Sequence, residues 1–409
     1  MNKNLDLTPT QNTVLTLISN ALFSAEKPID KDADWSSVWR EAYMQAVSLL
    51  AFSIVSADVL PENLLSEIRL QTRAMLSKNM LMNSAHARLH TMLINAAIPY
   101  TILKGYASGR YYPDYMLRAM GDIDFLIHRE DIEKASELFI SAGFEMSHEN
   151  HDYHRVFVKD GVRYEMHIEP SGIPEGEAGE LIRSYLDNTI ELSQNIKTDF
   201  GEVTVPSVFH HGLIILMHTA HHMTGSGVGL RHLCDWAVFV NSLSDEEFCG
   251  LFEEKLKKAG LWRFACVLTQ TVSDYLGCPE KKWVKESCDK LCREIIQDVF
   301  SAGNFGQKDE KRSQERLFIS SGKSGDKKKS SFSQLISSMN KIVYQKWKAA
   351  RKLKILLPIG WLFFGGRYII RMLMGKRPKI HPLEARSEAI ERMKVYDELK
   401  LFEKETGGD

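Results

Sequence analysis

Two aspartates lie one residue apart in the stretch LRAMGDIDFLIH, residues 117–128. Successive side chains of a strand point to opposite faces, so Asp122 and Asp124 are expected to lie side by side while Ile123 and Phe125 pack into the core. Like charges at this spacing repel each other and are costly to bury unless a cation lies between them. Paired carboxylates suit magnesium, which also takes phosphate oxygens as ligands.

A third carboxylate lies in the segment HRVFVKDGVRYEMHIEP, residues 154–170. The sequence Lys159-Asp160-Gly161 predicts a hairpin turn here, which places Glu165 on the second strand. If that strand lies beside the one with the aspartates, the three carboxylates converge on two metals. Such a site can orient an attacking hydroxyl and steady a pyrophosphate leaving group, with Glu165 close enough to help deprotonate the hydroxyl. This is the chemistry of nucleotidyl transfer.

An Asp-x-Asp pair is by itself a weak signal, because the pattern is common in turns and helix caps. Its context strengthens the metal interpretation. The pair follows Gly121 at the start of an apolar strand, and an upstream strand, residues 98–105, ends in Lys104-Gly105.

The elements that must position these residues form five predicted regions. A helical N-terminal region has a capping signal at Thr8–Gln11 and an apolar seven-residue stripe at Ile68, Met75, Met82 and Leu89. A core of short strands and one clear helix follows, then a second helical domain, a flexible linker rich in charge, Ser and Gly, and a basic amphipathic segment. We therefore predict an α+β fold with a small mixed sheet between helical domains. The predicted regions are 1–97, 98–206, 207–303, 304–332 and 333–409.

Composition limits the other possibilities. The chain has 409 residues and a formal net charge of −1, so there is no strong bulk signal for nucleic acid. The start lacks the features of a secretory signal, and no apolar run reaches the roughly 20 residues of a membrane span, so we expect a cytoplasmic protein. The six cysteines are scattered without a CxxC pair, which favours free structural thiols.

Three segments together resemble a known family: TILKGYASGRYYPDYMLRAMGDIDFLI (101–127), YEMHIEP (164–170) and HTAHHMTGSGVGLRHLCDWAVF (218–239). They are similar to the uncharacterised nucleotidyltransferase family of the DNA polymerase beta-like superfamily. The family pattern has a leucine-lysine-glycine strand end, an arginine before an Asp-x-Asp strand, an acidic residue two before a histidine, and a later helical His/Arg/Asp region. The likeness covers most of the chain, including the helical arm before Ile98.

The resemblance implies a role for each matching residue. It makes Asp122 and Asp124 the metal ligands and Glu165 the third carboxylate, with Mg²⁺ as the cofactor and Mn²⁺ as an alternative. The resemblance also implies four residues at the nucleotide phosphates: Lys104, Gly105, Ser108 and Arg118. Of these, Arg118 would neutralise the triphosphate unless it is an ordinary surface arginine. The wider superfamily has Gly-Gly or Gly-Ser where this chain has Lys104-Gly105, so phosphate binding is less firmly implied than metal binding.

Four accessory residues are implied by the same resemblance: His167, His222, Arg231 and Asp235. His167 is predicted either to hydrogen-bond near the metals or to be a satisfied core histidine. Arg231 and Asp235 lie four residues apart, which also suits a simple brace along one helix. His218 and His222 have the spacing of a helical zinc pair, but without an HExxH pattern or cysteine ligands we do not expect zinc.

The segment 346–376 interleaves Lys and Arg with Trp347, Trp361 and Phe363. This pattern is compatible with peripheral contact to an anionic membrane, or with binding to a nucleic acid or a partner. The alternative that we favour is an intramolecular helical hairpin, broken at Pro358 and Gly365-Gly366, with its basic face in solvent.

The sequence as a whole predicts an enzyme that transfers a nucleoside monophosphate from an NTP to an unidentified hydroxyl-type acceptor, which is a small molecule or a protein. A protein-modifying, toxin-like nucleotidyltransferase is the first alternative. A non-catalytic nucleotide-binding or scaffold protein of the same fold is the second.

Overall fold

The computed structural model describes residues 7–147, 154–309, 354–374 and 394–403, together with residues 340, 343, 344, 347 and 392. These residues form an α+β fold in which a five-stranded mixed sheet lies between helical regions, as the sequence predicts.

The N-terminal region is helical. Helix α1 begins at the predicted capping box, in which Thr8 and Gln11 each hydrogen-bond the other's backbone N–H. In the long helix α4 the predicted stripe faces the protein, because Ile68, Met82 and Leu89 are buried. The helices are α1 (Pro9–Phe23), α2 (Trp35–Met44), α3 (Ser48–Phe52) and α4 (Glu62–Asn95).

The central sheet has the strand order β1-β2-β5-β4-β3. Strand β2 is antiparallel to β1 and parallel to β5, so the sheet is mixed. The predicted turn between β4 and β5 forms, with left-handed backbone at Asp160 and Gly161. The strands are β1 (Tyr100–Ile102), β2 (Ile123–Ile127), β3 (Glu145–Met146), β4 (His154–Lys159) and β5 (Val162–His167). Helices α5 (Tyr106–Gly109) and α6 (Ile132–Ser141) connect the first three strands.

The segment between the sheet and the second helical region has more structure than the sequence indicates. It contains helix α7 (Glu177–Leu186) and a hairpin of β6 (Gln194–Thr198) and β7 (Gly201–Val205). Strand β6 is polar and exposed, which hides it from periodicity arguments. Strand β7 buries Val203 and Val205 against α4 and β1.

The second helical region packs around a buried aromatic core formed by Trp236, Phe239, Phe248, Phe252 and Phe264. All six cysteines are free thiols, as predicted. Its helices are α8 (Val208–Met223), α9 (Leu230–Asn241), α10 (Asp245–Phe248), α11 (Glu254–Ala259), α12 (Trp262–Leu276) and α13 (Asp289–Ala302), with a π-helical turn at Cys249–Glu253. Short 3₁₀ turns occur at Ala57–Val59, Tyr115–Leu117, Arg129–Asp131, Asn304–Gly306 and Lys354–Leu356.

Near the C-terminus, helix α14 (Leu357–Leu373) runs without a break. The predicted breaks at Pro358 and Gly365-Gly366 were therefore wrong. Pro358 lies in the first turn, where its missing N–H would have no helical partner anyway, and the glycines lie inside the helix. Among the residues that the structure describes, no helix has the length and apolar character needed to cross a bilayer.

The predicted linker divides into two parts. Residues 304–309 belong to the described fold, with Asn304 and Gly306 buried after α13. The remainder, 310–332, lies outside the described residues, as does most of the segment 333–353. The domain boundaries proposed from the sequence thus stay a prediction.

Candidate active site

The predicted carboxylates meet at the junction of two neighbouring strands. In the parallel pair β2–β5, Asp124 lies directly opposite Glu165. Asp122 comes one residue before β2 begins, and His167 ends β5. Period-two alternation puts Asp122 and Asp124 on one face, while Ile123 and Phe125 are fully buried on the other.

Asp124 is the most enclosed of these acids, with only 4% of its surface exposed. Its Oδ2 lies 2.9 Å from Lys104 Nζ, and its Oδ1 lies 3.0 Å from His167 Nε2. Burial alone would raise the pKa of Asp124. The two basic groups outweigh burial and hold this pKa well below its ordinary value, so the carboxylate is charged.

His167 binds both paired carboxylates. Its Nε2 also lies 3.6 Å from Glu165 Oε2. Burial lowers the pKa of His167, but the hydrogen bonds to Asp124 and Glu165 raise it to about 9. For Glu165, the hydrogen bond from His167 is the main reason that its pKa is lowered, and Arg163 Nε at 2.8 Å adds to this. Of the two predicted roles for His167, the geometry matches the hydrogen-bonding one.

Asp122 behaves differently from its neighbour. Burial and the charge of Asp124 raise its pKa, against the opposing effect of Lys104. The pKa values of Asp122 and Asp124 shift in opposite directions because both carboxylates interact with the same nearby positive charge. A bound divalent cation would stabilise the charged form of both.

The donor set fits a divalent metal. One ligand atom each from Asp124, Glu165 and His167 lie within 4.8 Å of one another, and no other such group occurs in the described ranges. Asp122 is not part of this group, although it lines the same cleft. The predicted triad of Asp122, Asp124 and Glu165 is thus brought to one place, with His167 as an additional potential ligand.

A cleft of about 280 Å³ opens beside these residues. We call its acidic side the sheet wall, formed by Lys104, Asp122, Asp124 and Glu165. A second set of lining residues, which we call the helix wall, consists of His218, His221, His222, Arg231 and Phe305. A larger cavity of about 620 Å³ lies in the second helical region, but no predicted site residue lines it.

The predicted phosphate-binding residues are divided by the structure. Lys104 and Gly105 line the cleft, whereas Ser108 is 1% exposed and does not. Gly105 has a φ of +65°, and a Cβ atom there would lie 2.5 Å from His86 Nε2. The strand end therefore requires glycine. Helix α5 has only four residues, too few for a strong dipole at its start.

Arg118 is not a surface residue, because only 4% of it is exposed. Its Nε and one terminal nitrogen donate to the two carboxylate oxygens of Asp235, each at 2.7 Å. The Tyr112 hydroxyl donates to the same carboxylate at 2.7 Å. Arg118 also lines the cleft, so this buried pair ties the approach to β2 to helix α9.

Arg231 does not form the predicted brace with Asp235, whose hydrogen bonds go to Arg118 and Tyr112. One terminal nitrogen of Arg231 donates to the Ala119 carbonyl at 3.1 Å, and the Arg231 guanidinium lies 5.2 Å from the centre of the Phe305 ring. Arg231 therefore spans from the loop before β2 to the helix wall.

Two histidines at or near the helix wall are kept neutral. Burial, followed by nearby cations, holds the pKa values of His218 and His232 well below the ordinary value. The rings of His218 and His222 are 4.3 Å apart, and His222 Nδ1 lies 2.8 Å from the Ser226 hydroxyl. Neither histidine belongs to the metal-ligand group found among the described residues.

An α+β fold that presents paired carboxylates beside basic side chains in a cleft suits phosphoryl-group transfer. A model of the uncharacterised nucleotidyltransferase family matches residues 31–277, and the chain belongs to that family. The resemblance inferred from the sequence motifs is thereby confirmed, and the protein is a transferase.

One similar solved structure is an antigenic nucleotidyltransferase-like protein from Paracoccidioides brasiliensis. The match has 16% identity and a TM-score of 0.32, and it covers 48% of this chain and 92% of the other. A likeness at this level supports no argument about the site. No curated protein matches the chain significantly.

Sequence reasoning missed two residues around the cleft. His86 is buried against Gly105, and burial lowers its pKa to about 4. Phe305 comes from the segment predicted as a linker. Neither has a local motif, and only a prediction of long-range contacts would have found them.

Proposed function

We propose that this chain is a divalent-metal-dependent nucleotidyltransferase that moves a nucleoside monophosphate from an NTP to a hydroxyl-type acceptor, with release of pyrophosphate. The observation that carries the proposal is the register of the β2–β5 pair, which sets Asp124 directly beside Glu165 with Asp122 in the same cleft. A chain without catalytic demand has no need to hold three repelling carboxylates together.

The metal would be held by Asp124 and Glu165, with Asp122 and His167 adjoining. Carboxylate oxygens favour Mg²⁺, and an imidazole beside them also suits Mn²⁺. When bound, such an ion polarises phosphoryl oxygens and neutralises charge on the leaving group. Lys104 would turn from Asp124 towards the phosphates once a metal takes over the charge of that carboxylate.

The other charged groups have roles that follow from their positions. Arg118 and Arg231 line the cleft and favour an anionic substrate. Gly105 lets the backbone at the strand end come close to a phosphate, since it has no Cβ. Glu165 has a side chain that is 18% exposed to the cleft and would accept the proton of the attacking hydroxyl. The buried Ser108 has no place in this proposal.

Two alternatives to this function differ in the acceptor or in the absence of turnover. A protein side chain in place of a small molecule would make the enzyme a protein-modifying nucleotidyltransferase with the same chemistry at phosphorus. A non-catalytic nucleotide-binding protein of the same fold would keep the cleft without turnover. The predicted cytoplasmic location agrees with a supply of NTP and magnesium.

The test is incubation with each α-labelled NTP, Mg²⁺ and cell extract. We expect wild type to transfer label and Asp122→Asn/Asp124→Asn to lose transfer at least 1,000-fold, on the order of what loss of a key charge-stabilising group costs. Glu145→Gln is the matched control, because this exposed acid lies on β3 of the same sheet, outside the cleft. Equal transfer by wild type and the double variant would contradict the metal site. Absence of transfer with every NTP would favour the non-catalytic alternative.

A further inference from the structure

Phe305 is an exposed aromatic residue inside the cleft. Its side chain is 40% exposed, and it belongs to the helix wall of the cleft that the carboxylates of the sheet wall also line. An aromatic side chain left open to solvent in a polar cleft loses the free energy that burial would give it. Such exposure is expected where the ring has a flat ligand to cover it.

The backbone holds Phe305 in an unusual conformation. Its φ of 54° and ψ of 33° are left-handed, which is an outlier for a bulky residue. The turn is fixed by tight packing, since a Cβ on Gly229 would lie 2.7 Å from Asn304 Cα, and Asn304 is 6% exposed. Strain that surrounding structure maintains at a cleft is a pointer to function.

The ring is surrounded by groups that suit a flat heterocycle. The Arg231 guanidinium lies 5.2 Å from the ring centre, and the rings of His222 and His232 lie 4.8 and 5.1 Å away. Guanidinium planes and aromatic rings both stack on nucleobases, and this stacking tolerates any base.

We propose that Phe305 is the stacking platform for the nucleobase of the NTP, while the sheet wall takes the phosphates and the metal. This inference rests on the proposed nucleotidyl transfer. Phe305 lies beyond residues 31–277, so membership of the family does not assign it a role.

The experiment compares ligands that share phosphates but differ in the base. Calorimetry in Mg²⁺ would measure the binding of ATP, GTP, CTP, UTP and inorganic tripolyphosphate to wild type and to Phe305→Ala. We expect Phe305→Ala to weaken the binding of the preferred NTP roughly tenfold, in the range of one base stack, and to leave tripolyphosphate unchanged. Phe305→Tyr should restore binding, because it keeps the ring.

The control is Tyr43→Ala, which removes an aromatic ring that is 51% exposed on α2. This variant should bind every ligand as wild type does. Equal weakening of NTP and tripolyphosphate by Phe305→Ala, or no change in either, would overturn the base platform. If wild type bound no NTP and no tripolyphosphate, the proposed function itself would fail, which is a distinct outcome.

A second inference depends on helix α14 and does not need the enzymatic proposal. Ile355 and Leu362 are 80% and 79% exposed, and Met374 is 65% exposed. The exposed apolar residues of this region recur at helical spacing along one side: Ile355, Ile359, Leu362, Phe363, Ile370 and Met374.

Another part of the helix is already packed. A Cβ on Gly360 would lie 2.6 Å from Val343 Cγ1, and Trp361 Nε1 donates to Asn340 Oδ1 at 3.1 Å. Phe363 of the apolar face also packs against Trp347, with the two ring centres 5.7 Å apart. The other exposed residues of this face keep between 55% and 80% of their surface open to solvent.

Charge identifies what would cover this face. Residues 341–383 contain no Asp or Glu. They do contain eleven basic residues: Lys341, Lys346, Lys348, Arg351, Lys352, Lys354, Arg367, Arg371, Lys376, Arg377 and Lys379. We propose that α14 lies on an anionic lipid surface, with its exposed apolar side chains in the acyl boundary, and that the positive charge of this part of the sequence selects anionic headgroups. A nucleic acid would use the charge but leave the apolar face exposed.

Sedimentation of the full chain with vesicles tests this surface. We expect binding to phosphatidylglycerol/phosphatidylcholine vesicles at low salt to exceed binding to pure phosphatidylcholine at least tenfold. Leu362→Glu/Ile370→Glu should abolish it. The control Leu70→Glu/Met80→Glu changes two exposed apolar residues of α4 and should bind normally.

Two results would overturn the lipid surface. One is the absence of wild-type binding to anionic vesicles at low salt. The other is a lipid-free dimer in sedimentation velocity that Leu362→Glu/Ile370→Glu dissociates, which would assign the face to a second copy of the chain.

Discussion

The sheet wall and the helix wall of the cleft differ in the charge of the side chains that form them. On the sheet wall, Asp124 and Glu165 lie side by side with lowered pKa values, and Lys104 and His167 pair with Asp124. On the helix wall, burial and neighbouring cations keep the His218 imidazole neutral. We therefore expect the sheet wall to attract a cation, while the helix wall presents the neutral His218 ring, Phe305 and Arg231.

Under the proposed function, this difference lets one cleft accept a metal together with a polyphosphate. We expect the carboxylates of the sheet wall to take the metal, and Lys104 and Arg231 to favour the phosphates. The neutral His218 does not repel Lys104 and Arg231, which line the same cleft. If His218 were charged, it would add positive charge to the cleft before any ligand arrived.

The largest effect on stability is expected at the buried Arg118–Asp235 ion pair, which connects the approach to β2 with helix α9. Arg118→Met leaves the buried Asp235 carboxylate without its ion pair, which costs about 3–5 kcal/mol in the free energy of unfolding. Urea denaturation measures this. The control is Arg155→Met, because Arg155 pairs with the mostly exposed Glu133 and should cost about 1 kcal/mol or less. Equal losses in the two variants would show that the buried pair is no special tie.

Low pH is expected to lower the free energy of unfolding through His211, a buried residue of helix α8. Burial lowers the pKa of His211 to about 3, against 6.5 for the ordinary residue, so the unfolded state binds more protons as the pH falls below 6.5. At pH 5 this histidine alone should cost about 2 kcal/mol. Unfolding curves between pH 7.5 and 5 check the slope, which His211→Leu should flatten. A wild-type stability that does not change over this window would contradict neutral burial.

A smaller effect is expected where the sheet wall meets α4. Gly105→Ala introduces a Cβ into the His86 ring at a positive φ, and we expect a loss of about 1–2 kcal/mol in unfolding free energy. In Gly105→Ala/His86→Ala the steric part should disappear, so the double variant should lose less than the sum of the two single variants. Additive losses in a double-mutant cycle would rule out the close contact.

Local sequence patterns were enough to predict which strands hold the acidic residues of the site. Asp122 and Asp124 could be placed on one face by alternation, and the turn at Asp160-Gly161 located Glu165 on a strand. Whether that strand lies beside β2 is a question of topology, which local patterns do not answer. The family resemblance supplied the missing adjacency.

The helix wall was less accessible to sequence reasoning. Arg118 and Asp235 are 117 residues apart, and either one could have been assigned to the surface. Phe305 was hidden in a polar segment whose composition predicts a linker. Its position depends on packing against Gly229, which is a contact between distant parts of the chain. The polar strand β6 was missed because its exposed residues lack alternation.

The most direct test of the contrast between the walls is Mn²⁺ binding, measured by electron paramagnetic resonance. Wild type should bind Mn²⁺, Asp124→Asn should weaken that binding at least tenfold, and His218→Gln/His222→Gln should leave it unchanged. Binding that survives Asp124→Asn but is lost in His218→Gln/His222→Gln would place the metal on the helix wall and contradict the account.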